Sequence, residues 1–210
     1  MPAAESGGLE NFWYSFDYGM VHFVTFNTET DFPHAPDEPG GEGAEFAGPF
    51  APDGTQLAWL ENDLKSVNRK KTPWIIVGGH RPWYVSTTEC LECQAAFEPL
   101  FIKYDVDLVL HGHKHFYERQ SAVANGVPQE IEKNPTAPWY VVNGAGGHYD
   151  GLDTPALPLV PTSRKAIVVY GWSRFTVNNC THLTTEFYAS RNSTVLDTAT
   201  LYKQRDCNVD

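Results

Sequence analysis

Apolar positions change their spacing several times along the chain, and each change marks an element. Near the start Phe12, Tyr14 and Phe16 alternate on one face, Asp17-Tyr18-Gly19 reads as a turn, and Val21 to Phe26 returns as a second strand. From Thr55 the step becomes three to four: Leu57, Leu60, Leu64 and Val67 predict an amphipathic helix from Thr55 to about Asn68, followed by the basic Arg69-Lys70-Lys71. Pro73 interrupts, and Trp74-Ile75-Ile76-Val77 is a short continuous apolar run of the kind a buried strand shows. A second helix is expected over Gln94 to Tyr104, with Phe97, Leu100, Phe101 and Tyr104 on one stripe, and a second buried strand over Val106 to Leu110. Strand, helix, strand in that order predicts a βαβ crossover and so a parallel sheet.

Beyond Gln120 the pattern is β-rich. Strands are expected at Trp139 to Asn143, Ile167 to Tyr170, Arg174 to Val177, His182 to Ala189 and Val195 to Lys203. If the last two pair about a turn at Arg191-Asn192, Cys207 falls only a few residues past the position opposite Cys180. A Cys180–Cys207 bridge is therefore expected, with Cys90 and Cys93 pairing locally. Between the first hairpin and the first helix, Asp31 to Gly54 holds five prolines and five glycines. It reads as a long loop that covers the surface or rims a site, the surface role being the expectation.

Composition narrows the function. The 210 residues carry 15 Lys and Arg against 26 Asp and Glu, a formal charge of −11, so a nucleic-acid groove is not expected. With 41% hydrophobic and 13% aromatic residues the chain can build a core, while no apolar run reaches the ~18 residues of a membrane span. The even cysteine count and two sequons, Asn179-Cys180-Thr181 and Asn192-Ser193-Thr194, point to a secreted, extracellular protein, glycosylated at Asn179 and Asn192, with its leader outside this chain.

Chemistry concentrates after the two buried strands. Gly78-Gly79-His80 follows the first and His111-Gly112-His113-Lys114-His115 the second, at the strand ends where α/β sheets place their ligands. A His-x-His pair leaving a strand directs two imidazoles into one volume, and neutral imidazole is the usual nitrogen ligand of zinc and iron. His80, His113 and His115 are the candidate metal ligands. The isolated His22, His34, His148 and His182 read as surface or satisfied core residues.

Trp74-Ile75-Ile76-Val77-Gly78-Gly79-His80-Arg81-Pro82-Trp83-Tyr84 and Gly112-His113-Lys114-His115-Phe116-Tyr117-Glu118-Arg119 resemble the last two metal-binding motifs of the purple acid phosphatases, in the calcineurin-like metallophosphoesterase superfamily. The resemblance extends to Tyr14 to Gly19, Gly144 to Gly151 and Asn179 to His182, and so over nearly the whole chain, in the manner of the secreted fungal and plant members. It implies an α/β fold, the metallophosphoesterase α/β sandwich, of which these residues encode the C-terminal half with mixed sheets and a β-rich C-terminus. It also implies hydrolysis of phosphate monoesters, phytate among them, at a dinuclear centre of ferric iron and a divalent ion (Zn, Mn or Fe). His80 and His113 would bind the divalent ion and His115 the ferric ion.

The family's remaining ligands come from motifs of the form D-x-G, G-D-x-x-Y and G-N-H-[DE]; the last two do not occur in this sequence, and its one D-x-G, Asp17-Tyr18-Gly19, falls in the expected hairpin turn rather than after a buried strand. Residues 1–210 are accordingly expected to be the C-terminal part of one catalytic domain, inactive alone and partnered by the N-terminal half of the same enzyme or another chain. Many plant-type members place a phosphate-contacting histidine after the His80 position. Tyr84 to Cys93 holds none, leaving Arg81, Tyr84 and Tyr117 as the substrate-binding candidates. No catalytic acid or base is assigned. The competing reading is a non-catalytic module in which the three histidines hold a single metal ion or the chain holds a partner.

Overall fold

The computed structural model describes residues 3–37, 48–129 and 133–207. Its elements in chain order are α1 (Ala3–Ser6), β1 (Tyr14–Tyr18), β2 (Val21–Thr25), α2 (Thr55–Ser66), β3 (Trp74–Gly79), α3 (Leu91–Lys103), β4 (Leu108–His111), β5 (Tyr117–Ala124), β6 (Val127–Gln129), β7 (Trp139–Asn143), β8 (Ser163–Ile167), β9 (Gly171–Val177), β10 (His182–Ala189) and β11 (Val195–Tyr202). Eight strands form a mixed sheet in the order β1-β2-β3-β4-β7-β5-β6, with β8 on β5; the other three form an antiparallel sheet, β11-β10-β9.

The middle of the large sheet is parallel: β2 pairs β3, β3 pairs β4, and β4 pairs β7. The expected crossover, β3-α3-β4, builds it. Both faces of these strands are covered, and side chains that alternate along each strand go to different layers. Ile75, Val77, Val109 and Tyr140 pack with Leu60, Leu64, Phe97 and Phe101 of α2 and α3. Trp74, Ile76, Leu108 and Val141 pack with Leu183, Phe187 and Leu201 of the small sheet. The order is helices, large sheet, small sheet. Each large apolar side chain buried in these layers contributes roughly 1.5–3 kcal/mol.

Several local expectations shift. The hairpin turn is Gly19-Met20, because Tyr18 still pairs with Val21, and Gly19 takes the positive φ of 56° that a two-residue hairpin turn favours. Helix α3 starts at Leu91, three residues early, capped by Cys90, whose sulfur accepts from the Cys93 N–H. The strand expected at Ile167 to Tyr170 lies at Ser163–Ile167, and Val168, Val169 and Tyr170 are exposed. Strands β5 and β6 had no counterpart in the pattern. The loop from Asp31 to Gly54 is described only at its flanks, since residues 38–47 lie outside the described residues. The first flank is core, with Phe32 and Ala35 buried, whereas the second lies at the surface, with Phe50 and Pro52 to Gly54 exposed; the Asp31 carboxylate ties the two by accepting from the N–H groups of Phe50 and Ala51.

Two disulfides close the covalent frame. Cys90 bonds Cys93, and Cys180 bonds Cys207 across a separation of 27 residues. The hairpin brings the second pair together: His182 faces Tyr202, and the Lys203 N–H donates to the Thr181 carbonyl. Closing a loop of that length stabilises by roughly 3–4 kcal/mol in the chain-entropy picture.

Candidate metal centre

The parallel strands β2, β3, β4 and β7 all point the same way, so the segments leaving their C-terminal ends gather at one edge. His80 leaves β3, Gly112 to His115 leave β4, and the glycine-rich Gly144-Ala145-Gly146-Gly147 leaves β7. The Gly112 N–H donates to the His80 carbonyl at 3.0 Å and ties the first two together. From the end of β2 the buried Thr28 hydroxyl oxygen accepts the N–H groups of His80 (3.1 Å) and Arg81 (2.9 Å). Those bonds fix the main chain from which the His80 ring projects.

His113 takes a left-handed φ of 63°. A non-glycine residue held there costs on the order of 1–2 kcal/mol, strain of a kind found at functional sites. The result is that His113 Nδ1 comes to 3.1 Å from His80 Nε2, with the two rings nearly edge to face. Two nitrogens each 2.0–2.1 Å from one cation lie about 2.9–3.4 Å apart, so the pair fits a shared ion. Its electrostatics fit as well. Burial first, then the neighbouring Lys114, Arg81, His80 and His115, push the His113 pKa down to about 4. Burial also lowers that of His80, with Arg81 and His115 opposing its charge and Glu29 favouring it. Both shifts favour the neutral imidazole that a ligand must present.

His115 stands beside this pair. Its N–H donates to the Asp153 carboxylate at 2.8 Å, and its ring Nδ1 lies 3.3 Å from Asp150 Oδ1. The His148 ring is against it, with centroids 4.6 Å apart. One ligand-type atom from each of His115, His148 and Asp150 falls within a 4.8 Å group. From the sequence His148 reads as a surface or satisfied core residue, and neither Asp150 nor Asp153 is singled out; the available signal was a histidine and two aspartates within six residues of a glycine-rich turn.

The substrate-binding candidates divide. Arg81 stays at the edge, its Nε bonded to Glu29 at 2.6 Å. Tyr84 is buried, donates to Glu98 at 2.6 Å and accepts from the Gly126 N–H, joining α3 to the turn after β5. Tyr117 is fully buried, stacks on Phe187 at 4.2 Å and donates to Asp197 at 2.9 Å, linking the two sheets. Burial pushes up the pKa of both tyrosines, with Glu98 and Asp197 adding to it. A cavity of about 350 Å³ opens beside His80, lined among others by Phe12, Phe26, Glu29 and Phe50. Asn179 and Asn192 are exposed in turns, each side-chain oxygen accepting the N–H two residues on.

Paired imidazoles at the C-terminal ends of parallel strands stand where α/β sheets place their ligand sites. The chain belongs to the calcineurin-like phosphoesterases, whose family profile matches residues 5–117. Within them it falls in the purple acid phosphatase branch: the profile of the iron/zinc purple acid phosphatase-like protein C matches residues 137–198. Acid phosphatase A of Cryphonectria parasitica is 42% identical over 208 residues, covering 96% of this chain and 41% of that protein. An acid phosphatase of Aspergillus ficuum is 38% identical, covering 97% and 39%. The structure of a purple acid phosphatase isolated from yellow lupin (Lupinus luteus) seeds superposes with a TM-score of 0.78 at 27% identity, covering 94% of this chain and 34% of that one. The chain thus spans about two fifths of the length of the curated fungal relatives it matches.

Proposed function

We propose that residues 1–210 are the C-terminal part of a single catalytic domain of a secreted acid phosphatase that hydrolyses phosphate monoesters, phytate among them. The 3.1 Å approach of His113 to His80, at the C-terminal edge of a parallel sheet, carries the reading. In it His80 and His113 hold a divalent ion (Zn, Mn or Fe) and His115 holds ferric iron. Three imidazoles cannot saturate two such ions, so the other ligands come from a region bearing the D-x-G, G-D-x-x-Y and G-N-H motifs. The N-terminal half of the same enzyme or another chain supplies that region. When bound, the metal pair supplies Lewis acidity and local positive charge on a protein whose formal charge is −11.

The chain's own residues bind and orient. Arg81, paired with Glu29 at the edge, is the guanidinium that contacts phosphate. The cavity beside His80 receives the ester's alcohol portion. Tyr84 and Tyr117, with hydroxyls bonded to buried carboxylates, hold the elements that carry the ligands. Asn179 and Asn192 carry glycans on the exposed turns of the small sheet.

The test is hydrolysis of p-nitrophenyl phosphate by this chain alone and by the chain joined to a segment carrying the three upstream motifs, both loaded with iron and zinc. The chain alone should show no turnover above background. The joined form should turn over, and replacing both histidines (His113→Ala, His115→Ala) should lower its rate by about a hundredfold or more, beyond what loss of a supporting residue costs. A rate that ignores the double substitution contradicts the reading.

A further inference from the structure

The segment after β7 folds back onto His115 and grips it at three places. Asp153 accepts the His115 N–H at 2.8 Å, and the Asp153 N–H donates to the His115 carbonyl at 3.2 Å. The main chain of His115 is thereby held from both sides. At the ring, Asp150 Oδ1 faces Nδ1 at 3.3 Å, and the same oxygen bonds Nδ1 of His148. The Gly151 N–H donates to the His148 carbonyl at 3.1 Å, closing the turn that presents both side chains.

A neutral imidazole has one N–H and one lone pair, and the partner of one nitrogen decides which is which. A carboxylate oxygen can only accept. Facing Nδ1, it selects the form with hydrogen on Nδ1 and leaves the lone pair on Nε2. We propose that Asp150 is a positioning residue that fixes this tautomer of His115 and turns Nε2 into the metal-binding nitrogen, while Asp153 holds the main chain. The inference rests on the metal-centre reading above, and it gives neighbouring ligands opposite nitrogens. His113 directs Nδ1 at His80, and His115 keeps Nδ1 for Asp150. Carboxylate, histidine and metal in line is a recurrent way of orienting a ligand and raising its basicity.

Two-dimensional ¹⁵N NMR of the metal-free 210-residue chain, above the histidine titration range, reads the tautomer directly. His115 should show a protonated Nδ1 and a bare Nε2. Asp150→Asn, which keeps a carbonyl acceptor, should preserve this, and Asp150→Ala should return His115 to the Nε2–H form that free imidazole side chains favour. Titration with Zn(II) should then shift His115 Nε2, with about 10–100-fold weaker binding in Asp150→Ala and near-native binding in Asp150→Asn. A wild-type His115 already in the Nε2–H form, a tautomer indifferent to Asp150→Ala, or Zn(II) shifting Nδ1 of His115 together with His148 would overturn the proposal. Zn(II) that shifts none of His80, His113 and His115 would instead sink the metal-centre reading, and the tautomer result would still decide the role of Asp150.

Discussion

His113 Nδ1 meets His80 Nε2 at 3.1 Å although 33 positions of sequence separate them. Helix α3 accounts for the distance in sequence and the parallel register of β3 and β4 for the closeness in space, since Gly79 pairs with His111. Two short main-chain bonds then curl the chain through His113: Lys114 N–H to the Gly112 carbonyl at 2.7 Å and Phe116 N–H to the Lys114 carbonyl at 2.8 Å. The pair depends on backbone placement, and substitutions that move backbone should disturb it without touching a histidine.

Gly144 is the sharpest case. A Cβ at this position would overlap the Lys114 carbonyl oxygen and sit 2.8 Å from its carbon, between two stretches of backbone that cannot swing aside. Gly144→Ala should cost about 1–3 kcal/mol in urea unfolding and weaken Zn(II) binding at His113 and His115. Gly146, where a Cβ meets nothing within 4 Å, is the control, and Gly146→Ala should leave both quantities unchanged.

A pH dependence is built in away from the candidate metal ligands. His22 Nδ1 lies 2.7 Å from Asp17 Oδ1 and Nε2 lies 2.9 Å from Asp63 Oδ2, so only the protonated ring can donate to both. Burial opposes the charge, but the carboxylates of Asp63 and Asp17 outweigh it and hold the pKa above 6.5; Lys71 Nζ, 3.8 Å from Asp17, is the other charge at the site. The bracketed imidazolium contributes its full stability below pH 6.5 and loses it as the pH rises through the raised value. His22→Gln should therefore lower stability by about 1–3 kcal/mol at acid pH and by less at alkaline pH, measured by urea unfolding across the range. A deficit that does not change with pH would refute the bracketing.

The tyrosines and Arg81 should separate in kinetics. Tyr84→Phe leaves the buried Glu98 short of a donor and should lower stability by about 1–3 kcal/mol while leaving KM for a phosphate ester unchanged in the joined form. Arg81→Gln should do the reverse, raising KM with little effect on the melting temperature. A raised KM in Tyr84→Phe would return that hydroxyl to the substrate.

What the amino-acid pattern revealed, and what it hid, follows from which forces act locally. β3 and β4 were legible because strands covered on both faces are continuous apolar runs, and the histidines stand at their ends. β5 was hidden because Glu118, Arg119, Gln120 and Ser121 read as polar. The strand is nonetheless buried, since Ser86 donates twice to Glu118 and Arg119 pairs with Asp197, contacts made by residues 32 and 78 positions away. Ile167 to Tyr170 misled for the opposite reason: Val168 to Tyr170 are an apolar run left at the surface, while the strand runs back from Ile167 through the more polar Ser163 to Ala166, which pair with β5. The same holds at the site. His80 and His113 announce themselves by position, whereas Asp150 and Asp153 matter only once their turn has folded onto His115.

The most direct measurement is anomalous diffraction at the zinc edge from crystals of the zinc-loaded chain. A peak within about 2.0–2.3 Å of both His80 Nε2 and His113 Nδ1 is the predicted result. Zinc absent from that pair, or held only by His148 and Asp150, would contradict the account.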